Sequence, residues 1–445
     1  MRLGIGLAAL ACSIAAASGT AGTAIAQRRP NFVADVAPIL HARCATCHQP
    51  DGAAPFALLS YDEARAKGKE MKAAVLSRQM PPWSAVAASG YPGLLHDRRL
   101  PAREIQTIAA WVDSGMAPGN LAKTPMPPAF PATWQLGLPD LTISLPRAVS
   151  LPGGGASHLV TIVSYLNFPA DRWIRAIDYQ PSTRGVVSHA VFFATPAQMF
   201  VDARDVLPGF GGMLGATPGA NPGEDLVRVN RSVEPLAVWT PAMRVTPPPD
   251  GTAIRLPAGT NLAMQLHAQP SDTGAVEDGT VAIYFEKSTP TVALTSLQVP
   301  QSFGITAGID LPAGEKPTVL RDEFVLPIDI AVFGARGHAH DLGKDLKLTA
   351  RLPNGTVRGL LWIDRWSVRW QESYYFTAPV RLPKGTRIAT EITYGPSAKR
   401  VMWGPGLSDE IGSMELIIAT PTPADATILT AAREARFRDQ LLRNK

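Results

Sequence analysis

Short apolar segments separated by turn signals fill residues 134–421, and this pattern constrains the fold more than any other feature. Segments such as HLVTIVSYL, VVSHAVFFA, TNLAMQLHA and TRIATEITYG are rich in β-branched and aromatic residues, which favour strands. Turn signals such as the PNG at residues 353–355 lie between them, and the chain contains 41 Pro and 38 Gly among its 445 residues. We therefore predict two all-β, jelly-roll-like sandwich domains, residues 134–300 and 301–423, rather than a helical bundle.

The first 26 residues have the layout of a secretory signal peptide. Arg2 precedes an apolar, Ala-rich stretch at residues 3–17, and no acidic residue occurs before Asp35. Ala24 and Ala26 supply the small residues of a cleavage site. No later segment approaches the ~20 apolar residues of a membrane span. We expect an exported protein, periplasmic or secreted, with no membrane span in the mature chain.

The mature chain keeps one pair of cysteines, Cys44 and Cys47, in the segment CATCH at residues 44–48. C-x-x-C-H is the attachment signature of c-type haem, in which two thiols add to the vinyl groups and the adjacent His48 binds the iron. The alternatives are a disulfide or half of a zinc site, but no second C-x-x-C is present to complete such a zinc site. The motif therefore predicts covalent haem c.

Helical patterns surround this motif. Val36 and Leu40 fall at helical spacing just before the cysteines, and the SYDE at residues 60–63 is a capping box that opens a further helix. Pro101 starts a third helix with one apolar face. Three short helices around a haem are typical of a small all-α cytochrome c domain, which we place at residues 27–120.

The sixth ligand of the haem iron is predicted to be Met80. Pro81 and Pro82 follow it and hold the backbone extended, and a thioether ligand raises the reduction potential of the haem. Met71, inside a predicted helix, and Met116, after the last helix, are the weaker alternatives.

Two segments connect or follow the predicted domains. Residues 121–133 are a Pro-rich, semi-rigid linker, and residues 424–445 form an amphipathic, basic helical tail whose default interpretation is a solvated terminal helix. The net charge is +5, from 42 basic and 37 acidic residues, and no run of five basic residues occurs. The sequence therefore predicts no nucleic-acid partner.

Four histidines are candidate metal ligands. His338 and His340 are two residues apart, so on a strand both imidazoles share one face, and histidine ligands without a nearby cysteine suit copper or zinc. His189 and His267 each lie singly in an apolar strand, where a packed core histidine is the commoner outcome.

Taken together, several segments resemble the copper type II, ascorbate-dependent monooxygenases, which include the peptidylglycine and dopamine hydroxylating enzymes. The resemblance is carried by GHAHDLGKDL, AIRLPAGTNLAMQLHAQPSD, IRAIDYQPSTRGVVSHAVFF, RLPKGTRIATEITYG and VMWGPGLSDEIGSMELI. The N-terminal segment, with RQMPPWSA, resembles the cytochrome c domains fused to bacterial members. The resemblance covers essentially the whole mature chain and implies two β-sandwich domains, each holding one copper across a solvent-filled cleft.

The resemblance also implies particular ligands. In the first β-domain the family uses an adjacent pair of histidines and a third histidine; His189 and His267 match, but Ser188 occupies the first position of the pair. In the second β-domain His338 and His340 match.

The family's methionine ligand in the second domain has no match, because Ile411 occupies its position. Met414 and Met402 are candidate substitutes, although Met414 is three residues further on and falls on the opposite strand face. Copper without a thioether is less strongly biased toward Cu(I).

The resulting expectation is an exported haem- and copper-dependent oxidoreductase. Copper at His338 and His340 would be the catalytic ion of an O2-dependent monooxygenase that hydroxylates a substrate C–H bond. Copper at His189 and His267 would supply the second electron, and the haem would relay electrons from a redox partner or an external reductant such as ascorbate. The substrate would be a small molecule or peptide. The alternative is a non-catalytic electron-transfer or copper-binding protein on a monooxygenase scaffold that has lost ligands.

Overall fold

The computed structural model describes residues 28–50, 52–130, 134–155, 157–183, 185–196, 206–208, 234–241, 243–269, 272–404 and 406–443. The predicted signal peptide and residues 131–133 of the predicted linker lie outside these ranges. Within the described ranges, strands predominate and helices are few, which confirms the predicted β-rich, sandwich-like class. No helix of the described residues is long and apolar enough to cross a membrane.

The α-helices lie near the two ends of the described chain, and a short 3-10 helix at Ser302–Gly304 follows the central strands. The α-helices are α1 (Ala37–Arg43), which continues a π-helical turn at Phe32–Val36, α2 (Tyr61–Ala66), α3 (Gly68–Leu76), α4 (Ala102–Asp113) and α5 (Pro423–Arg443). The predicted capping box is present: the Glu63 N–H donates to Ser60 Oγ at 3.3 Å, and the Ser60 N–H donates to the Glu63 carboxylate at 2.8 Å. Apolar faces of the first four helices meet in one core that includes Leu40, Ile108 and Trp111.

The strands follow in chain order. They are β1 (Leu141–Ser144), β2 (Val149–Leu151), β3 (His158–Ser164), β4 (Arg172–Gln180), β5 (Val187–Pro196), β6 (Val206–Pro208), β7 (Glu234–Trp239), β8 (Thr252–Leu256), β9 (Thr260–Ala268), β10 (Ala275–Glu277), β11 (Thr280–Phe285), β12 (Val292–Val299), β13 (Asp310–Leu311), β14 (Thr318–Val325), β15 (Ile330–Ala339), β16 (Gly343–Arg351), β17 (Val357–Ile363), β18 (Tyr374–Leu382), β19 (Arg387–Tyr394), β20 (Val401–Met402) and β21 (Gly412–Ala419).

One eight-stranded sheet, in the order β1-β11-β4-β8-β12-β21-β15-β18, runs through both predicted β-domains. A five-stranded sheet, β6-β3-β9-β5-β7, shares one apolar core with its first half. A four-stranded sheet, β14-β19-β16-β17, shares a second core with its other half. The two sandwich-like halves are therefore joined through hydrogen-bonded strands rather than only through a linker.

Strand β12 makes this junction. It pairs in parallel with β8, with Val292 opposite Thr252, and antiparallel with β21, with Thr295 opposite Ile418. Residues 292–294 pair with β8 of the first half and residues 295–299 pair with β21 of the second, so the chain crosses between the halves within one strand. The end of β15 and the start of β21 lie close to the five-stranded sheet of the first half.

The segment between α3 and α4 lies against the second β-half. The Val86 N–H donates to the Trp362 carbonyl at 2.8 Å, and the Leu95 N–H donates to the Tyr375 carbonyl at 2.8 Å. Isolated β-bridges join Ala85 to Ile363 and Leu94 to Phe376. We call residues 82–98 the docking segment, because it ties the N-terminal helices to β17 and β18.

Helix α5 also packs on the second β-half. Leu429 and Phe437 are buried, and Arg436 forms an ion pair with Asp322. The Thr306 hydroxyl donates to the Gln440 side chain at 2.8 Å. The helical prediction for this segment is therefore met, but the helix presents a buried face to the sheet and is not simply solvated.

Candidate metal centre

Three histidine side chains meet between the two β-halves. His189 lies in β5, His267 in β9, and His340 directly after the last residue of β15. One ring nitrogen from each imidazole lies within 4.8 Å of one from each of the others, and all three residues are buried. The sequence predicted these residues as ligands of two different metal sites, whereas the structure brings them into one group. We call these three residues the histidine cluster.

Strand register places His189 and His267 together. They are cross-strand partners on β5 and β9, and their rings stack with centroids 4.0 Å apart at 17°. The register shifts between Val187 and His189, so Ser188 occupies an irregular position of the strand. The Ser188 Oγ lies 3.4 Å from His189 Nδ1 and is buried beside it.

His340 is held by three contacts from two other segments. Its backbone N–H donates to the buried Glu410 carboxylate, and its Nδ1 donates to the Asp409 carbonyl at 3.0 Å. The Trp366 indole N–H donates to the His340 carbonyl at 3.1 Å. Because Nδ1 carries the proton, Nε2 keeps its lone pair for a metal ion, the usual way in which a second partner selects the ligating nitrogen.

His338 reaches the same cavity but is engaged elsewhere. Its Nε2 lies 3.0 Å from the Glu415 carboxylate, which Arg336 also binds at 2.5 Å, and all three side chains are buried. Gln298 donates to the same carboxylate at 3.2 Å. The predicted His338 and His340 pair is therefore split: both line the cavity, but His338 is not part of the histidine cluster.

Burial sets the charge state of these groups. It lowers the pKa of His189 and His267 well below the ordinary value, and the neighbouring imidazoles lower both further. Burial also lowers the pKa of His340, so the cluster consists of neutral imidazoles, the form that binds metal ions. Although burial opposes ionisation of Glu415, Arg336 and His338 hold its pKa at about 2.

The histidine cluster fits a copper or zinc ion. Three imidazole nitrogens without a thiolate suit either metal, and three protein ligands leave a position open for a small exogenous ligand. His267 Nδ1 is buried and has no hydrogen-bond partner among the described residues, as expected where an absent group completes the contacts. The adjoining cavity measures about 20 Å³, room for about one water molecule.

No methionine or cysteine lines this cavity in the described part of the chain. Its lining comprises the four histidines, two glutamines and four apolar side chains: His189, His267, His338, His340, Gln265, Gln371, Val191, Phe303, Trp403 and Ile411. Ile411 therefore stands where the resemblance implies a thioether. Met414 is fully buried next to Gly337, and Met402 is 57% exposed, so neither candidate substitute reaches the cavity.

Sequence reasoning missed several residues of this centre. Gln265 is two residues before His267 on β9, so strand alternation would have placed it on the same face. Glu415 and Phe303 carry no comparable signal, because only the pairing of β21 with β15 and the turn after β12 bring them to His338.

The predicted haem segment presents two free thiols and an oriented histidine. Cys44 and Cys47 form no disulfide. The pKa of Cys44 is raised to about 12, mainly because the thiol is buried and to a smaller extent because Cys47 is close. His48 Nδ1 lies 3.0 Å from the Phe56 carbonyl and donates to it, which leaves Nε2 for an iron ion. The residues that directly follow His48 line a cavity of about 480 Å³, formed by Gln49, Pro50 and residues 52–57.

The methionine candidates for the sixth iron ligand occupy different environments. Met80 is half-buried at a bend after α3, where its N–H donates to the Ala74 carbonyl at 3.1 Å. Met71 is buried in α3 within the helical core, and Met116 packs against the same core. Cys44, Cys47 and His48 fit attachment of a haem, and the choice of Met80 as the sixth ligand of its iron stays a prediction.

Comparisons with known proteins do not assign this chain to a family. No family model and no curated protein match it. The VP2 subviral particle of infectious bursal disease virus aligns over 66% of this chain and 77% of its own length at 10% identity, with a TM-score of 0.19. PNGF-II aligns over 61% of this chain and 59% of its own length at 10% identity, with a TM-score of 0.21. Likenesses this weak carry no argument.

Proposed function

We propose that this protein is an exported oxidoreductase that binds one copper ion at the histidine cluster and a covalent c-type haem at Cys44, Cys47 and His48. The observation that carries the proposal is the meeting of three buried, neutral imidazoles from β5, β9 and the end of β15. The resemblance to copper type II monooxygenases supports copper over zinc. The geometry favours one ion, where that resemblance implied two.

The chain's own residues would prepare this centre for redox chemistry. Three neutral imidazoles hold the ion, and the hydrogen bond from His340 Nδ1 to Asp409 fixes the orientation of one of them. Phe303 and Ile411 give the cavity an apolar wall and limit the entry of water. Copper supplies one-electron chemistry toward O2, and the function we infer is O2-dependent hydroxylation of a substrate C–H bond.

The docking segment supports a partnership between the two predicted cofactor sites. It joins the chain between α3 and α4 to β17 and β18, and β18 pairs with β15, the strand that ends next to His340. The N-terminal helices are therefore attached to the half of the molecule that contributes His340. A haem at Cys44 and Cys47 would be held in a set relation to the metal centre rather than on a free tether.

A second function, electron transfer without oxygenation, is favoured by one observation. As bounded by the described residues, the cavity of about 20 Å³ has room for a water-sized ligand and not for an organic substrate. On this alternative the copper would exchange electrons with the haem and a redox partner, and Ile411 would mark a centre that has lost the thioether of its relatives.

Metal analysis and oxygen uptake test the proposal together. The full-length protein, matured in a host that attaches c-type haem, is loaded with copper, dialysed and measured for copper per covalent haem. We expect one copper, and O2 uptake with ascorbate that rises when a hydroxylatable substrate is added from a panel of amidated, phenolic and small alkyl compounds. Uptake without substrate dependence supports the electron-transfer alternative. Absence of copper binding would refute both functions.

A further inference from the structure

The docking segment makes an aromatic contact with strand β18. The rings of Trp83 and Tyr374 meet edge to face with centroids 5.1 Å apart at 86°. Trp83 is 7% exposed and Tyr374 is 3% exposed, so water is excluded from the contact. We propose that Trp83 and Tyr374 form the electron-transfer bridge from the haem segment to the histidine cluster. This inference rests on the proposed function.

The haem side of the bridge begins next to the predicted axial ligand in the sequence. Trp83 is three residues after Met80, the predicted axial ligand, and Arg98 lies over its ring at 5.8 Å. Trp83 is therefore close in the chain to the predicted axial ligand and in contact with Arg98.

Arg98 clamps this arrangement. Its guanidinium donates to the Pro82 carbonyl at 2.7 Å and forms an ion pair with Glu372, and both charged side chains are largely buried. Glu372 is two residues before Tyr374, so one ion pair fixes the backbone on each side of the ring contact. Arg98 is a positioning residue, because it acts through the placement of the two rings.

The metal side of the bridge runs through the sheet. Tyr374 on β18 is the cross-strand partner of Ala335 on β15, and His338 and His340 follow three and five residues later. Hydrogen bonds between β15 and β18 join the tyrosine backbone to the strand that leads to the cluster. Bonded and hydrogen-bonded atoms, together with aromatic rings in contact, couple donor and acceptor more strongly than a gap filled by water.

The electron balance is simple. One electron leaves ferrous haem, which becomes ferric, and reaches Cu(II), which becomes Cu(I). No bond to Trp83 or Tyr374 forms or breaks, no proton moves, and neither ring is itself oxidised. The rings act only by raising the electronic coupling between the two centres.

Transient kinetics tests this role. In copper-loaded, oxidised protein the haem is reduced by a brief light-driven pulse, and its reoxidation is followed by haem absorbance while Cu(II) loss is followed by electron paramagnetic resonance. We expect Trp83→Leu and Tyr374→Leu to slow reoxidation by about tenfold or more, because each removes a ring from the coupling path. Trp83→Phe should keep most of the rate, because a ring remains in contact with Tyr374.

Tyr91→Leu is the matched control. Tyr91 belongs to the same docking segment, and its ring lies 6.4 Å from that of Trp362 on β17, outside the route to β15. The haem reduction potential, copper content and circular dichroism spectrum are measured for every variant. Since these readouts report folding and cofactor binding, a change confined to the electron-transfer rate identifies the bridge.

Three results would overturn the inference. Trp83→Leu with the wild-type rate would remove the bridge, and Tyr91→Leu slowed as much as Trp83→Leu would show that docking alone matters. A wild-type protein that holds both cofactors but transfers no electron between them would exclude the route while leaving the copper and haem sites intact. Failure to bind copper or haem at all would instead refute the proposed function, and the bridge with it.

Discussion

The predicted haem site and the histidine cluster differ in how far apart their residues lie in the sequence. Two thiols and an imidazole occupy five consecutive residues, 44–48, and the imidazole is oriented by the carbonyl of Phe56, eight residues away. His189 and His267 lie on two strands of one sandwich-like half, and His340 directly follows a strand of the other. A local site therefore depends on its own short segment, whereas an assembled site depends on strand register, on the β12 junction and on the packing between the halves.

The largest effect is expected at the local site. The double variant Cys44→Ala/Cys47→Ala should lose all covalent haem, because no thiol remains to bond the vinyl groups. Copper content should stay at the wild-type level, since the cluster draws on none of these residues. Denaturing gels stained for haem, together with metal analysis, measure both. Covalent haem that survives this variant would contradict the assignment of the motif.

The assembled site should fail after a single substitution. His340→Gln should weaken copper binding by more than the roughly 10–100-fold that loss of an outer-shell partner costs, because it removes one of three ligands. His338→Gln is the control, since His338 Nε2 is engaged by Glu415. Competition titration with a copper chelator gives both affinities. An equal loss in the two variants would show that His338 is also a ligand.

A smaller effect is expected from the residue that positions His340. The Glu410 carboxylate accepts the backbone N–H groups of His340, Leu342 and Ile411. Glu410→Gln replaces one acceptor oxygen with a donor and should lower copper affinity by about 10–100-fold through misplacement of His340. The haem spectrum is the internal control. Unchanged copper affinity would show that the Asp409 contact alone orients His340.

The smallest effect is a gain. Ile411 lines the cavity, so Ile411→Met would place a thioether within reach of the centre. We expect Cu(I) affinity to rise by up to about tenfold, or 1.4 kcal/mol, because sulfur is a softer ligand than imidazole. Met402→Leu serves as the comparison, since Met402 is largely exposed and should change nothing. A lower Cu(I) affinity in Ile411→Met would mean that the added side chain fills the open position.

Much of the fold follows from patterns within single segments. Alternating and β-branched runs predicted strands at VVSHAVFFA and TNLAMQLHA, which are present as β5 and β9. The capping box at residues 60–63 and the helix after Pro101 were likewise readable, because caps and amphipathic faces act over a few residues. The continuous eight-stranded sheet was not, since nothing within β8, β12 or β21 encodes which strand pairs with which.

The candidate metal centre was likewise predictable from the sequence only in part. Residue types and strand faces singled out His189, His267, His338 and His340, and alternation placed both His338 and His340 at one cavity. The sequence did not predict that three of them form one cluster without His338. Glu415 engages His338 through the pairing of β21 with β15, and the chain at His340 has already left that strand.

The sequence by itself determined the β-rich class, the C-x-x-C-H motif and the four candidate histidines. Each strand pattern, the motif and the setting of each histidine can be recognised within a segment shorter than about ten residues. Only the tertiary structure decided that three of those histidines share one centre, that His338 pairs with a buried carboxylate, and that the docking segment brings Trp83 against Tyr374. The physical reason is that these contacts join residues far apart in the chain. Their geometry depends on register and packing, which emerge only when all the strands assemble.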